Sequence, residues 1–75
     1  MNSVDLDYIK KRRIEMKFSL QYMATILGFK NASTYLKYEK GEYVFKAEQL
    51  PVLADVLSCD ITNFFTHNVA EIATK

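Results

Sequence analysis

Apolar residues recur along this chain at intervals of three and four, and no stretch alternates strictly between apolar and polar. This spacing places apolar side chains on one face of an α-helix, whereas alternation would be typical of a strand. We therefore predict an all-α fold. The spacing predicts helices over 5–16, 20–27, 32–40 and 47–57, with a fifth helix beginning after Asp60.

Capping residues support the predicted bounds of the second and third helices. Ser19 and Asn31 are suitable N-caps, because their side-chain oxygens can accept free backbone N–H groups. Gly28 and Gly41 follow the second and third helices, where a left-handed residue commonly ends a helix. A tight turn therefore joins these two helices. Pro51 lies near the start of the fourth helix, whose first turn we expect to be weakened.

The last helix is the least defined. Ile61, Phe64 and Phe65 form an apolar stripe that either continues to Ile72 or ends in a frayed tail. We expect a single domain over 1–75, with its core over about 5–66. Residues 67–75 are then a tail or an extension of the fifth helix.

The third predicted helix has two unlike sides. At about 100° per residue, the inner arc comprises Ala32, Tyr35, Tyr38 and Glu39. The outer arc comprises Ser33 and Lys37, extended by Lys30 and Lys40. Small side chains at a helix N-terminus allow close approach of anions, and lysines neutralise phosphates. The outer arc therefore favours DNA as a partner, and a solvated polar face is the alternative.

Arg13 is unusual because it lies on the apolar face of the first helix, between the directions of Ile9 and Met16. A buried guanidinium needs a carboxylate partner. Glu39, on the inner arc of the third helix, is the natural candidate for a structural ion pair. The alternative is that Arg13 extends to the surface.

Composition and charge narrow the class of protein. The chain has 75 residues, of which 49% are hydrophobic, which is enough for one core. One cysteine, Cys59, and no Cys/His cluster predict a metal-free intracellular protein. No apolar run approaches the roughly 18 residues of a membrane span, and no leader precedes the domain, so we expect a cytoplasmic protein without a membrane partner. The net charge is only +1, but residues 1–46 carry +4 and residues 47–75 carry −3.

Catalytic chemistry is not indicated. Catalysis needs a nucleophile with a base, a metal-ligand set or a paired-carboxylate cleft, and the sequence suggests none of these. Cys59 is interpreted as a small buried hydrophobe and His67 as neither ligand nor base. We therefore predict no enzyme, with no catalytic residue, no metal, no cofactor and no small-molecule ligand.

Four segments in order resemble the phage Cro/repressor helix-turn-helix family, the xenobiotic-response-element type. They are RRIEMKFS at 12–19, MAxxLG at 23–28, YEKG at 38–41 and LxxLAxxL at 50–57. The resemblance implies a compact five-helix lambda-repressor-like DNA-binding domain with its helix-turn-helix at helices 2 and 3. Such proteins usually bind operator DNA as dimers, with helix 3 in the major groove. In many members an arginine at the Arg13 position pairs with a glutamate at the Glu39 position.

The resemblance also implies DNA contacts for this chain. The base-facing residues become Ala32, Ser33, Thr34 and Lys37. The phosphate-facing residues become Ser19, Gln21, Lys30, Asn31, Lys40 and Tyr43. The base-facing set lacks the bidentate Arg, Asn or Gln that reads bases sharply, so we expect modest specificity per contact, with Lys37 favouring guanine.

Some residues depart from the family pattern. Leu20 stands where a phosphate-contacting or bracing glutamine is common, which thins the phosphate contacts. The turn at Phe29 is one residue longer than the commonest form. Phe45 stands where a proline is frequent, and Ser58 replaces the usual glycine after helix 4.

Apolar residues on outward faces are either scattered or covered by the termini, or they belong to an interface. Tyr22 and Ile26 form one such pair on helix 2. Our preferred homodimer surface comprises Val52, Val56, Phe64, Phe65 and Ile72.

Two functions compete. The first is a sequence-specific regulator of transcription that binds double-stranded DNA, as a homodimeric repressor in the nucleoid; phage regulators, restriction controllers and antitoxins share this pattern. The second is a protein-interaction module of the same fold that has lost DNA binding. Clustering of five basic residues on one surface would favour the first function: Lys11, Arg12, Lys30, Lys37 and Lys40.

Overall fold

The computed structural model describes residues 4–65, which contain helices and no strand. In chain order the elements are α1 (Leu6–Glu15), α2 (Leu20–Leu27), α3 (Ala32–Lys40), α4 (Gln49–Val56) and a 3₁₀ helix (Ile61–Phe65). The predicted all-α class is confirmed. The bounds of α2 and α3 coincide with the predicted ones, and α1 is one residue shorter at each end.

Local chemistry sets the ends of α2 and α3. Ser19 and Asn31 adopt extended backbone conformations and accept N–H groups of the first turn with their side chains. Gly28 and Gly41 end the two helices with φ values of 82° and 90°, in the left-handed region that favours glycine. Gly41 has a second constraint, because an added Cβ would lie 3.2 Å from the side chain of Leu6.

Helix 4 starts two residues later than the approximate start that the sequence predicts. The helix begins at Gln49 rather than at residue 47, and Glu48 provides no side-chain cap. Pro51 is therefore the third helical residue, where a backbone N–H would have no intrahelical partner. The proline is tolerated for this reason.

The fifth element is a 3₁₀ helix rather than an α-helix, which corrects the prediction. The N–H of Asn63 donates to the carbonyl of Asp60 at 2.8 Å, the i to i+3 pattern of a 3₁₀ turn. The side chain of Asp60 accepts the N–H of Thr62 at 3.2 Å. The two alternatives for the following residues, a stripe that continues to Ile72 or a frayed tail, lie outside the described residues.

All four α-helices, the loop before α4 and the 3₁₀ helix supply side chains to the core. Its buried hydrophobic residues are Ile9, Met23, Ala24, Tyr35, Phe45, Leu53, Ala54, Leu57 and Phe64. Phe64 is fully buried and meets the ring of Tyr8 edge-on at 6.1 Å between centroids. The prediction that Phe64 belongs to a dimer surface was wrong, because its ring packs against α1 inside the core.

The rest of the predicted dimer surface is partly covered. Val52 is 39% exposed, whereas Val56 and Phe65 are half-buried and pack against the core. On α2, Ile26 is half-buried, and the ring of Tyr22 lies 4.6 Å from that of Phe18. Packing within the domain thus accounts for much of this outward apolar surface.

Arg12 is half-buried and its guanidinium is directed at the end of α4. Its Nε donates to the carbonyl of Leu57 at 2.8 Å, and its Nη2 donates to the carbonyl of Ser58 at 3.2 Å. These carbonyls lie just past the end of α4, where a helix leaves acceptors unpaired and a cation is favoured. Arg12 therefore joins α1 to α4.

Candidate nucleic-acid interface

The two predicted arcs of α3 differ in burial. Tyr35 and Glu39 are buried, whereas Ser33, Lys37 and Lys40 are exposed. Ala32 and Thr34 are half-buried at the start of the helix. The helix therefore presents to solvent the face that was predicted from the wheel.

An ion pair attaches the inner face to α1. Arg13 Nε donates to Glu39 Oε2 at 2.9 Å, and Nη2 donates to Oε1 at 3.1 Å. This forked geometry is the strong form of an arginine–carboxylate pair. The remaining Nη1 donates to the carbonyl of Phe18 at 3.1 Å. The hydrogen bond with Glu39 raises the pKa of Arg13.

Tyr35 adds a third donor to the same carboxylate. Its hydroxyl donates to Glu39 Oε2 at 2.7 Å, one helical turn along α3. The pKa of Tyr35 is raised above its usual 10.0, mainly because the hydroxyl is buried and secondly because it donates a hydrogen bond to Glu39. The sequence pattern placed Tyr35 on the inner arc without a partner for its hydroxyl, although its i, i+4 spacing from Glu39 was the available signal.

The N-terminus of α3 has a shared acceptor. Asn31 Oδ1 accepts the backbone N–H of Thr34 at 3.0 Å, Ser33 Oγ at 2.8 Å and Thr34 Oγ1 at 3.0 Å. Sequence reasoning predicted the cap but not the two hydroxyl bonds. Asn31 itself is exposed at this end of the helix.

Aromatic rings support the other end of α3. The ring of Phe29 stacks on Tyr38 at 4.5 Å, and Tyr38 meets Tyr43 edge-on at 5.4 Å. The ammonium of Lys37 lies 5.6 Å from the centre of the Tyr43 ring, within cation–π range. The longer turn thus contributes Phe29 as a brace for α3.

The predicted phosphate contacts come from three segments. Ser19 and Gln21 lie at the start of α2, Lys30 and Asn31 in the turn, and Lys40 and Tyr43 at and after the end of α3; all six are exposed. Gln21 Nε2 also donates to Thr25 Oγ1 at 3.2 Å. Leu20 is half-buried and packs against the core, so it replaces the common glutamine with an apolar contact.

Five basic residues were expected to cluster on one surface if the protein binds DNA. Of these, Lys30 precedes α3, Lys37 lies within it and Lys40 is its last residue. Lys11 is exposed on α1. Arg12 instead donates to the carbonyls that follow α4, so it is not counted among the basic residues of the candidate interface. Three lysines therefore belong to the candidate interface itself.

Residues 4–65 contain neither a metal-ligand cluster nor a membrane-spanning helix. In that range no group of three or more His, Cys, Asp or Glu side chains could hold a metal ion. The helices of the same range are too short or too polar to cross a membrane. Cys59 is a half-buried free thiol. His67 lies outside the described residues.

Two short helices joined by a tight turn, with the second fixed on its inner side and exposed on its outer side, define a helix-turn-helix protein. A family model described as helix-turn-helix matches residues 9–64, more than half of the chain. The chain belongs to this Cro/C1-type helix-turn-helix family, whose domain binds DNA. No curated protein and no solved structure matches the chain significantly.

Proposed function

We propose that this protein is a sequence-specific regulator of transcription that inserts α3 into the major groove of double-stranded DNA. The observation that carries the proposal is the contrast between the two faces of α3. Arg13 and Tyr35 hold the inner face through Glu39. The opposite face exposes Ser33 and Lys37, which have hydrogen-bonding groups for base edges.

Phosphate binding supplies the affinity in this proposal. The exposed lysines Lys30 and Lys40 neutralise phosphates at the two ends of α3. Ser19 and Asn31 lie at helix N-termini, where backbone dipoles also favour anions. Residues 1–46 carry a charge of +4, so the basic residues are concentrated in the part of the chain that contains α1 to α3.

The active form in this proposal is a homodimeric repressor of operator DNA, located in the cytoplasm with the nucleoid. A two-fold dimer places two copies of α3 in successive major grooves. Val52 is the exposed centre of the proposed dimer surface, and Val56 and Phe65 contribute their exposed edges. Ile72, which the sequence also suggested for this surface, lies outside the described residues.

The test is selection of bound sequences from a random duplex pool, followed by titration of the affinity against salt. We expect a two-fold motif whose half-sites lie about 10 base pairs apart, or a multiple of this. The logarithm of the affinity should fall steeply with the logarithm of salt, by about 0.9 per phosphate contacted. Weak binding without sequence preference would contradict the proposal.

The second candidate is a protein-interaction module with weak or lost DNA binding. It is favoured by the apolar Leu20 at a usual phosphate-contact position and by Tyr22, which remains 44% exposed on α2. Its occupant would be a protein partner on the α2 surface. The same selection separates the two functions, because only the first yields an enriched motif.

A further inference from the structure

The amide orientation of Asn31 is determined by its neighbours. The backbone N–H of Thr34 can only donate, so the side-chain atom 3.0 Å away must be the amide oxygen. Ser33 Oγ and Thr34 Oγ1 lie 2.8 and 3.0 Å from this same oxygen. Since an amide oxygen cannot donate, both hydroxyl groups must donate to Asn31.

A hydroxyl group has one proton, and the proton of each of these two is directed at Asn31. What remains on Ser33 Oγ and Thr34 Oγ1 is a set of lone pairs, which can only accept. A free serine or threonine, by contrast, rotates its proton to suit either a donor or an acceptor. The network therefore gives two adaptable side chains a defined hydrogen-bond polarity.

Base edges in the major groove differ in this polarity. Adenine N6 and cytosine N4 are amino groups and donate, whereas guanine O6 and thymine O4 are keto oxygens and accept. A side-chain acceptor that faces one DNA strand therefore distinguishes adenine and cytosine from guanine and thymine on that strand. Lys37, which only donates, favours the opposite class.

We propose that Asn31 acts as a positioning residue for specificity, holding Ser33 and Thr34 as acceptors that select an amino base over a keto base. This inference rests on the proposed function, because it concerns how the same helix reads operator DNA. The base pairs concerned are identified by repeating the selection with Ser33→Ala and with Thr34→Val. Each variant should lose preference at the position its side chain contacts.

The main measurement compares four operators that differ only at such a position. Wild-type protein should bind those with adenine or cytosine on the contacted strand about tenfold more tightly than those with guanine or thymine. Purine in place of adenine removes the N6 amino group and should weaken binding by a similar factor. A preference for guanine or thymine would overturn the inference while leaving the proposed function intact.

Two variants of Asn31 separate polarity from capping and phosphate contact. Asn31→Gly retains a good N-cap residue but releases both hydroxyl groups, so the amino-to-keto ratio should fall toward one. Asn31→Asp keeps an oxygen acceptor for both hydroxyls, so the ratio should persist while affinity falls for all sequences. Far-ultraviolet circular dichroism checks that both variants keep their helices.

An unchanged ratio in Asn31→Gly would overturn the inference, because the hydroxyls would then not depend on Asn31. The enriched motif would still support a DNA-binding regulator. Failure to enrich any sequence with the wild-type protein would overturn the proposed function, and the inference would fall with it. The two failures are therefore distinguishable.

Discussion

The inner and outer faces of α3 use their polar groups in opposite ways. Inside, Glu39 is 6% exposed and both of its carboxylate oxygens are bonded, by Arg13 and Tyr35. Among residues 4–65, no buried side-chain nitrogen or oxygen lacks a hydrogen-bond partner. Outside, Lys37 and Lys40 are exposed to solvent. Substitutions inside should therefore change stability, and those outside should change DNA binding.

Loss of the ion pair is the strongest test of the inner face. Arg13→Ala leaves Glu39 buried without its forked partner and should lower the free energy of unfolding by about 3 to 5 kcal/mol. Urea unfolding measures this change. Lys11→Ala is the matched control, an exposed residue on the same helix, and should change stability by less than about 0.5 kcal/mol.

The outcome that would contradict this comparison is a small effect. A loss below about 1 kcal/mol for Arg13→Ala would place the pair among ordinary surface salt bridges. If the variant does not fold, Arg13→Lys retains the charge without the fork and should give an intermediate loss of stability.

Removal of the Tyr35 hydroxyl should have the next largest effect. Tyr35→Phe keeps the ring in the core but deletes the bond to Glu39, at a cost of about 2 kcal/mol. Calorimetry or urea unfolding at neutral pH measures this loss. Tyr22→Phe, which removes an exposed hydroxyl, serves as the control and should be near neutral.

Alkaline pH adds a second signature for Tyr35. Its pKa in the folded protein is raised above the usual 10.0, so above this pH the unfolded chain releases a proton that the folded chain retains. The unfolded state then binds fewer protons, and stability falls as pH rises. This contribution disappears in Tyr35→Phe, whose free energy of unfolding should fall less steeply between about pH 9 and 11.

On the outer face, two lysines should separate base reading from phosphate binding. Lys37→Ala should cost about 1 to 2 kcal/mol of binding and relax preference at one base pair. Lys40→Ala should weaken all sequences alike and reduce the salt slope by about 1. Both should unfold like wild type. Equal effects of the two variants on every sequence would contradict the base contact of Lys37.

The smallest expected effect concerns the ring beneath Lys37. Tyr43→Leu removes the cation–π contact, and its coupling to Lys37→Met in a double-mutant cycle of DNA binding should be about 0.5 to 1 kcal/mol. Tyr43→Phe keeps the ring and should preserve the coupling. Strict additivity of Tyr43→Leu and Lys37→Met would show that the ring does not orient the ammonium.

The accuracy of the sequence predictions varied along the chain with the strength of local signals. The bounds of α2 and α3 were predicted because Ser19, Asn31 and the two following glycines act on backbone groups within one turn. The start of α4 was predicted two residues too early, since Glu48 provides no such cap. Phe64 was misplaced because an apolar stripe in a sequence does not show whether its side chains are buried in the core or exposed for a partner, and Phe64 is fully buried.

The Arg13–Glu39 pair was predictable because two opposite charges on apolar faces each required a partner. The contacts of Arg12 were not, since its acceptors lie 45 and 46 residues away and are backbone carbonyls that any residue could supply. The shared oxygen of Asn31 depends on side-chain rotamers that spacing does not reveal. The sequence by itself determined the helix-turn-helix, the caps of its helices and the exposed lysines of α3. The tertiary structure decided which polar groups are already paired, because pairing depends on how the helices pack against one another.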